Sequence, residues 1–221
     1  MLTVMPAHAA VNDVFPADFT ALPEGRTVAT YYAYDRHQQG TWVNGQRTGD
    51  LDVSSSIAAL RLSSSYRLGT LKISPVAVFS AADTDFSGRV VPSSVTPRRS
   101  GLGDLKVGAT AWFIEVPEAR RYLGLNLMTV WGTGRYDGHE LANIGENRRR
   151  QALTLGWIEG IGKYWTIEPS PEVAWYGTNK AGFPGNVRVD QSRMESVAGY
   201  VRRRFSPALE GFIGFQANEG G

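Results

Sequence analysis

The chain has 221 residues, a net charge of +2 at pH 7 and no cysteine. The missing cysteines exclude disulfides and thiolate metal sites, and the mild, mostly scattered positive charge gives no support for a nucleic-acid partner. No apolar run approaches the 18 or so residues of a helical membrane span, which excludes a helical membrane protein. The length suits one all-β domain.

The N-terminus has features of an export segment. Residues 1–10 form a short apolar stretch that contains Ala7-His8-Ala9, a triplet typical of signal-peptide cleavage sites. The basic region that begins a signal peptide is missing, so either the chain starts downstream of its natural beginning or the similarity is accidental. We interpret residues 1–10 as a signal-peptide remnant, residues 11–26 as an N-terminal leader, and residues 27–221 as a single β-barrel domain.

Nine segments of alternating apolar and polar residues predict nine β-strands. They are Thr27–Asp35, Val53–Leu68, Leu71–Ala81, Leu105–Ile114, Tyr122–Thr133, Arg150–Gly162, Trp165–Tyr176, Ser192–Phe205 and Leu209–Ala217. No segment has a convincing helical period, so the fold class is all-β. Pro75 is unusual inside a strand, and the pair Pro169 and Pro171 predicts a bulge or bend in the seventh strand.

The connections between these strands alternate between tight turns and long polar loops. The long loops are His37–Leu51, Ala82–Gly103, Gly134–Arg148 and Gly177–Gln191. Bacterial outer-membrane barrels have short periplasmic turns, long outer loops and strands of about ten alternating residues. We therefore predict an antiparallel up-and-down transmembrane β-barrel.

The odd number of strands has a consequence for this prediction. Single-chain bacterial barrels have an even number of strands, and an unpaired strand edge in hydrocarbon costs several kcal/mol for each exposed backbone group. We expect a C-terminally incomplete barrel, with about 12 strands when whole. The alternative is that one strand is miscounted.

In a barrel of this kind, one face of each strand contacts lipid and the other faces the lumen. In the second strand, Leu60 and Leu62 fall on the apolar face, and Arg61 falls on the polar face. Alternation predicts these lumen-lining residues: Arg61, Arg67, Lys106, Asn126, Glu168, Glu172 and Glu210. We expect the three glutamates to pair with the three basic residues. Glu159 falls on the apolar face, where charge is tolerated only near a turn.

Short motifs at the strand ends resemble those of a known family. Ser100–Leu105 has a Gly-x-Gly-Asp pattern, Asn143–Arg148 has an Asn-x-Gly-x-Asn-Arg pattern, and Trp175–Asn179 has an aromatic pair followed by Asn. Leu22–Gly25 and Tyr31–Tyr34 also fit. In this order the motifs are similar to those of the family named for the MetA pathway of phenol degradation. The resemblance implies an outer-membrane barrel that transports aromatic or other apolar compounds.

Gly101, Gly103 and Asp104 form the loop-to-strand motif of this resemblance. The glycines allow the tight backbone by which a loop enters a strand. The carboxylate of Asp104 is expected either to cap loop amides or to pair with Arg98 or Arg99. We favour a structural role for the motif over ligand binding.

Together, these patterns favour a passive outer-membrane channel for small, apolar or aromatic compounds, located in the bacterial outer membrane. Its expected partners are membrane lipid and a small-molecule solute; no cofactor, metal, nucleic acid or catalytic residue is predicted. One alternative is an outer-membrane hydrolase that uses His139, Asp137 and a serine of a neighbouring strand. Another is a structural envelope barrel or a soluble β-rich module without a transport role.

Overall fold

The alternating segments form one large, curled antiparallel sheet. The computed structural model describes residues 14–43, 46–89, 91 and 96–220. Its strands are β1 (Thr27–Val43), β2 (Gln46–Ser64), β3 (Tyr66–Leu68), β4 (Leu71–Ser87), β5 (Arg98–Leu102), β6 (Leu105–Val116), β7 (Arg121–Trp131), β8 (Arg150–Ile161), β9 (Trp165–Tyr176), β10 (Asn179–Gly182), β11 (Val187–Val189), β12 (Met194–Ser206) and β13 (Leu209–Gly220). A 3-10 helix, Pro117–Ala119, joins β6 to β7. Within this part of the chain, no helix is long and apolar enough to cross a membrane.

Strands that follow one another in the chain are neighbours in the sheet. Their order is β1-β2-β4-β6-β7-β8-β9-β12-β13, and every neighbouring pair is antiparallel. The short strands β3 and β5 continue β2 and β6 along β4, while β10 and β11 form a separate hairpin. The predicted all-β, up-and-down architecture is confirmed, and β1 and β13 are the edges of the sheet in the described residues.

The two faces of the sheet differ in polarity. On β7, Leu123, Leu125 and Leu127 lie on the outer face, whereas Asn126 and Met128 are buried on the inner face. The buried polar residues of the inner face include Lys72, Ser74, Thr110, Thr154, Thr166, Glu168, Ser170 and Glu172. Exposed large apolar residues of the outer face include Leu60, Phe79, Phe113, Trp131, Trp157, Trp165 and Trp175. Water-soluble proteins have the opposite arrangement, in which charged residues are mostly exposed.

The strands β1, β2 and β4 are longer than the sequence predicts. Most of the segment 37–51, predicted as a loop, belongs to the β1–β2 hairpin, where His37 pairs with Ser54 and Gln38 with Val53. The predicted loop 82–103 likewise contains the end of β4 and all of β5. Polar side chains gave no strand signal there, because an antiparallel ladder is made by backbone groups and does not require an apolar face.

Pro75 fits the sheet because the ladder is interrupted beside it. It lies on the outer face of β4, opposite the break between β2 and β3 at Ser65. Ser65 instead exchanges backbone hydrogen bonds with the leader, donating to Arg26 at 3.0 Å and accepting from Gly25 at 2.8 Å. The proline, which lacks an N–H donor, therefore lies where the pairing of β4 with β2 and β3 is interrupted, between Val76 and Ile73.

The bulge predicted at Pro169 and Pro171 is absent. The register between β9 and β12 runs without a shift from Ala174 to Trp165. On the other side, β9 pairs with β8 before and after residues 168–171 in the same register. The prolines lack N–H donors, so bonds are lost on the β8 side, but the strands do not slip.

Glu159, the acidic residue on the apolar face, lies at the turn end of β8. Arg121 on β7 donates to both of its carboxylate oxygens, with Nη2 at 2.7 Å from Oε1 and Nε at 2.9 Å from Oε2. Both residues are close to their tight turns. This position explains how a charged pair is tolerated on an otherwise apolar face, since charge costs least near the ends of the strands.

Candidate functional site

Residues 14–26, the described part of the leader, lie against the inner face of the sheet. Phe19 is buried and packs edge-to-face on Trp112, with ring centroids 6.5 Å apart. Phe15 stacks on Tyr32 of β1 at 5.2 Å. The hydroxyl of Tyr200 on β12 donates to the carbonyl of Val14 at 2.6 Å. The leader therefore contacts strands from both ends of the sheet order, which shows that the sheet curls around it.

The ring of Phe19 packs directly against the backbone of Gly156 on β8. A Cβ atom at Gly156 would lie only 1.8 Å from Cδ1 of Phe19, so any other residue would overlap the ring. Glycine inside a strand often marks such a close approach. Tyr122 and Ile158 complete this buried cluster around the ring. The absence of a side chain at Gly156 therefore provides the space that the Phe19 ring fills.

Two charged groups tie the leader to distant strands. Arg61 on β2 donates from Nη1 to Oδ1 of Asp18 at 2.9 Å, and Glu168 on β9 accepts from the backbone N–H of Ala17 at 2.7 Å. Burial raises the pKa of Asp18 above its ordinary value, and the guanidinium of Arg61 opposes that shift. These contacts hold the leader across the interior of the curled sheet.

A cavity of about 120 Å³ lies between the leader and the strands β1 to β8. Three of its lining residues carry charge: Asp18, Arg61 and Lys106. Its other walls are aromatic, apolar or neutral and polar, formed by Phe15, Phe19, Tyr32, Tyr34, Met128, Thr110, Asn126 and Thr154 among others. The cavity is therefore amphipathic, with both rings and hydrogen-bonding groups within reach of a ligand.

A row of polar side chains crosses the inner face beside this cavity. Strand register places Thr110, Asn126, Thr154 and Glu172 side by side on β6, β7, β8 and β9. Asn126 donates from Nδ2 to Oγ1 of Thr110 at 2.9 Å, and Thr154 donates from Oγ1 to Oε2 of Glu172 at 2.6 Å. Buried polar side chains of this kind persist because they are hydrogen-bonded.

The structure places the predicted lumen-lining residues as follows. Arg61, Lys106 and Asn126 line the cavity, and Glu168 and Glu172 are buried on the inner face of β9. The remaining two residues lie towards the turn end: Arg67 donates to Glu24 of the leader at 2.9 Å, and Glu210 accepts from Arg202 and Arg204 at 2.8 and 2.7 Å.

The predicted pairing is wrong for Glu168, Glu210, Arg61 and Arg67. Glu168 pairs with Arg202, which also bridges to Glu210. Arg61 pairs with Asp18 of the leader instead of a strand glutamate. The physical reason is strand order: β9 neighbours β12, so the arginine of β12 reaches Glu168, whereas β2 lies far along the sheet.

The loop-to-strand motif is a hydrogen-bonding centre at the long-loop end. Asp104 accepts backbone N–H groups from Gly134 and Glu146, each at 2.7 Å, and so caps loop amides. Burial raises the pKa of Asp104, while these two N–H donors oppose the shift. Gly103 approaches Ser80 so closely that a Cβ would lie 2.3 Å from its Oγ. Arg98 and Arg99, the other expected partners of Asp104, pair with Asp83 and Glu140.

The three family-like motifs meet at this same end of the sheet. Asn179 donates from Nδ2 to the carbonyl of Glu146 at 3.3 Å, and its Oδ1 accepts from Asn147 at 2.9 Å. Glu146 in turn donates its N–H to Asp104. The motifs, distant in sequence, therefore form one network that joins three connections between strands. Each motif is visible in the sequence, but nothing in the sequence signals that they touch.

His139 lies in an exposed loop of the same region. Its Nε2 is 3.1 Å from Nδ2 of Asn186, and its backbone N–H donates to Asp137 at 2.9 Å. The contact with Asp137 thus involves the main chain of His139 and leaves the ring directed at an amide. In the described residues, no group of three or more His, Cys, Asp or Glu residues is placed to hold a metal ion.

Comparisons with known proteins agree with this architecture. The structure is similar to the crystal structure of an outer membrane channel from Pseudomonas putida F1, with a TM-score of 0.86 and 26% sequence identity. The similarity covers 95% of this chain and 78% of that chain. No curated protein matches the chain significantly.

The family comparison covers most of the sequence. The family described as "Putative MetA-pathway of phenol degradation" matches residues 29–220, which include all but the first two residues of β1 and every later strand. The matched range contains the Asp104, Asn143–Arg148 and Trp175–Asn179 motifs. The chain therefore belongs to the MetA-pathway phenol-degradation family.

Proposed function

We propose that the chain forms an outer-membrane channel that passes small solutes. The observation that carries this proposal is the polarity of the sheet: a band of exposed Leu, Phe and Trp on the outer face and buried polar side chains on the inner face. Lipid-facing and lumen-facing residues alternate in this way in membrane barrels. Membership of the family and the similarity to a bacterial outer membrane channel support the same function.

The interior favours compact solutes that are apolar or aromatic on one side. The leader lies inside the curled sheet and borders a cavity with Phe15, Phe19 and Tyr32 in its walls. A solute of this kind can move past the polar row by exchanging hydrogen bonds, as in other selective pores. We propose passive movement, in which the lumen-lining charges set preference among solutes and the leader sets the width.

Outer-membrane lipid is the proposed surrounding of the outer face. The aromatic residues Trp165 and Trp175 lie at opposite ends of β9 and both point outward. Membrane barrels carry aromatic girdles at the two interfaces, with an apolar band about 25 Å tall between them. Ten residues of tilted strand span about this distance. The signal-peptide interpretation of residues 1–10, which lie outside the described residues, would supply the export route.

Solute uptake into liposomes tests the proposal. The protein is refolded into vesicles, and the swelling rate is measured with small aromatic solutes that are neutral, anionic or cationic, and with neutral sugars. The charge reversals Arg61→Glu and Lys106→Glu are expected to change the relative rates among charged solutes, because both residues line the cavity. Lys163→Glu, in an exposed turn, is the matched control. Unchanged rates for every solute in both cavity variants would contradict the proposed lining.

A further inference from the structure

We propose that the outer face binds the phosphate groups of anionic lipids at two sites, one at Arg149 and one at Arg203. The inference rests on the proposed function, because it assigns a binding role to the lipid-facing surface of the proposed channel. Three observations support it: the two arginines lack acidic partners, they stack on tryptophan rings, and their separation along the sheet matches the thickness of a membrane.

The two runs of three consecutive arginines in the chain share one arrangement. They are Arg148–Arg150 and Arg202–Arg204. In each run the two flanking arginines bridge to one glutamate, Glu146 in the first run and Glu210 in the second. The middle residue of each run is exposed and has no acidic partner among the described residues. The positive charges of Arg149 and Arg203 are therefore available for an anion from outside the chain.

Each of these two arginines lies over an outward tryptophan. The guanidinium carbon of Arg149 is 4.9 Å from the centroid of the Trp131 ring. That of Arg203 is 5.1 Å from the ring of Trp165 and 5.0 Å from the ring of Phe205. All three aromatic side chains are exposed. A stacked guanidinium keeps its N–H groups at the edge of its plane, where two of them can donate to one phosphate.

Strand register separates the two sites by about the thickness of a membrane. The carbonyl of Arg149 accepts from the N–H of Gly177, just beyond the end of β9, and Arg203 pairs with Trp165 at the start of β9. At about 3.3 Å per residue, the segment from 165 to 177 is about 40 Å long. With a strand tilt of about 40°, it rises about 30 Å along the membrane normal. The hydrocarbon core has this thickness, so the two arginines lie at the phosphates of opposite leaflets.

Another outward arginine shows the alternative way to balance charge on this face. Arg121 pairs with Glu159 on the neighbouring strand, so that pair has no need of a lipid anion. Basic residues near a membrane surface are attracted to anionic lipids by electrostatics. Because Arg149 and Arg203 have no such protein partner, lipid phosphate is the anion that suits their position.

Native mass spectrometry of the complete gene product, refolded in detergent, tests the inference. The micelles contain equal amounts of phosphatidylglycerol, which is anionic, and phosphatidylcholine, which is zwitterionic, and the retained lipids are counted. We expect the protein to retain two molecules of phosphatidylglycerol in preference to phosphatidylcholine. Arg149→Gln and Arg203→Gln should each weaken retention at one site about fivefold, which corresponds to about 1 kcal/mol. The double variant should lose the preference altogether.

Conservative and remote variants separate charge from folding. Arg149→Lys and Arg203→Lys keep the positive charge and should keep the preference for phosphatidylglycerol. Arg188→Gln removes an exposed arginine that pairs with Asp190 in the separate hairpin, and it should change nothing. Equal retention of the two lipids by the unaltered protein, or an unchanged preference in the folded double variant, would overturn the inference. Displacement of the lipid by a tenfold excess of inorganic phosphate would also overturn it, because the sites would then select a soluble anion.

The swelling measurement distinguishes this inference from the channel proposal. If the unaltered protein passes solutes into liposomes but shows no lipid preference, only the lipid sites are refuted. If it retains phosphatidylglycerol at both sites but passes no solute, only the channel proposal fails.

Discussion

At the scale of single residues, Gly156 decides whether the leader can lie where it does. Any Cβ at this position overlaps the ring of Phe19, which is itself buried against Trp112. Gly156→Ala should therefore destabilise the protein by about 1–3 kcal/mol through overpacking. In a Phe19→Ala background the same substitution should lower the free energy of unfolding much less, because the space left by the phenylalanine ring accommodates the added methyl group. Urea unfolding of the four proteins in detergent measures this cycle.

The control for this cycle is a glycine with open space. A Cβ atom at Gly185 would have no heavy atom within 4 Å, but the backbone there has φ +75°. Asparagine tolerates this backbone conformation, so Gly185→Asn should be close to neutral. If Gly156→Ala lowers the free energy of unfolding as much without the Phe19 ring as with it, the ring of Phe19 does not pack against Gly156.

Residue patterns predicted the face of a side chain better than its partner. Alternation placed Arg61 and Glu168 on the polar face, and both lie on the inner face. Their pairing was mispredicted, because partners depend on strand order and on a leader whose position has no period in the sequence. Phe15 and Phe19 are the only features of the leader that could have indicated its position. They are large aromatic residues in a polar segment that has no strand or helix pattern, so they must pack against another part of the protein.

At the scale of strands, the outer face of β7 makes a depth-dependent prediction. Leu127 lies at the middle of the outward row of β7, and Trp131 lies at its end. Leu127→Arg should destabilise the membrane-inserted protein by about 2–4 kcal/mol, because arginine at the bilayer midplane faces hydrocarbon. Trp131→Arg should cost less, since strand ends lie near the interface. Refolding yield into lipid vesicles measures both variants, and equal yields would contradict a lipid-facing β7.

The sequence predicted which segments form strands and which faces they have better than it predicted where the strands begin and end. The nine alternating segments and their faces follow from a period of two, which the backbone imposes on any strand. The ends of β1 and β4 were placed too early and the start of β2 too late, because the outer parts of these strands are polar. The prolines of β9 were given too much weight, since both point outward and the register beside them is intact.

At the scale of the whole molecule, the sheet, the leader and the loop network act together. The leader is held by Arg61 and Glu168 inside the curl. At the other end, Asp104 joins the loops that follow β7 and precede β6. A hydrogen-bonded loop network at one end and an interior narrowed by the leader suit the selective passive channel that we propose. The apolar outer face is the feature that favours a membrane location for the sheet, and without it neither the leader nor the loop network would indicate a channel.

The most direct test of the membrane-barrel architecture is an electrophoretic heat shift of the complete gene product refolded in detergent. Closed membrane barrels keep their hydrogen-bonded wall in cold SDS because every strand edge is paired. We expect a folded band in the unboiled sample that migrates differently from the boiled one. A protein that shows no shift and stays folded and monomeric in buffer without detergent would contradict this architecture.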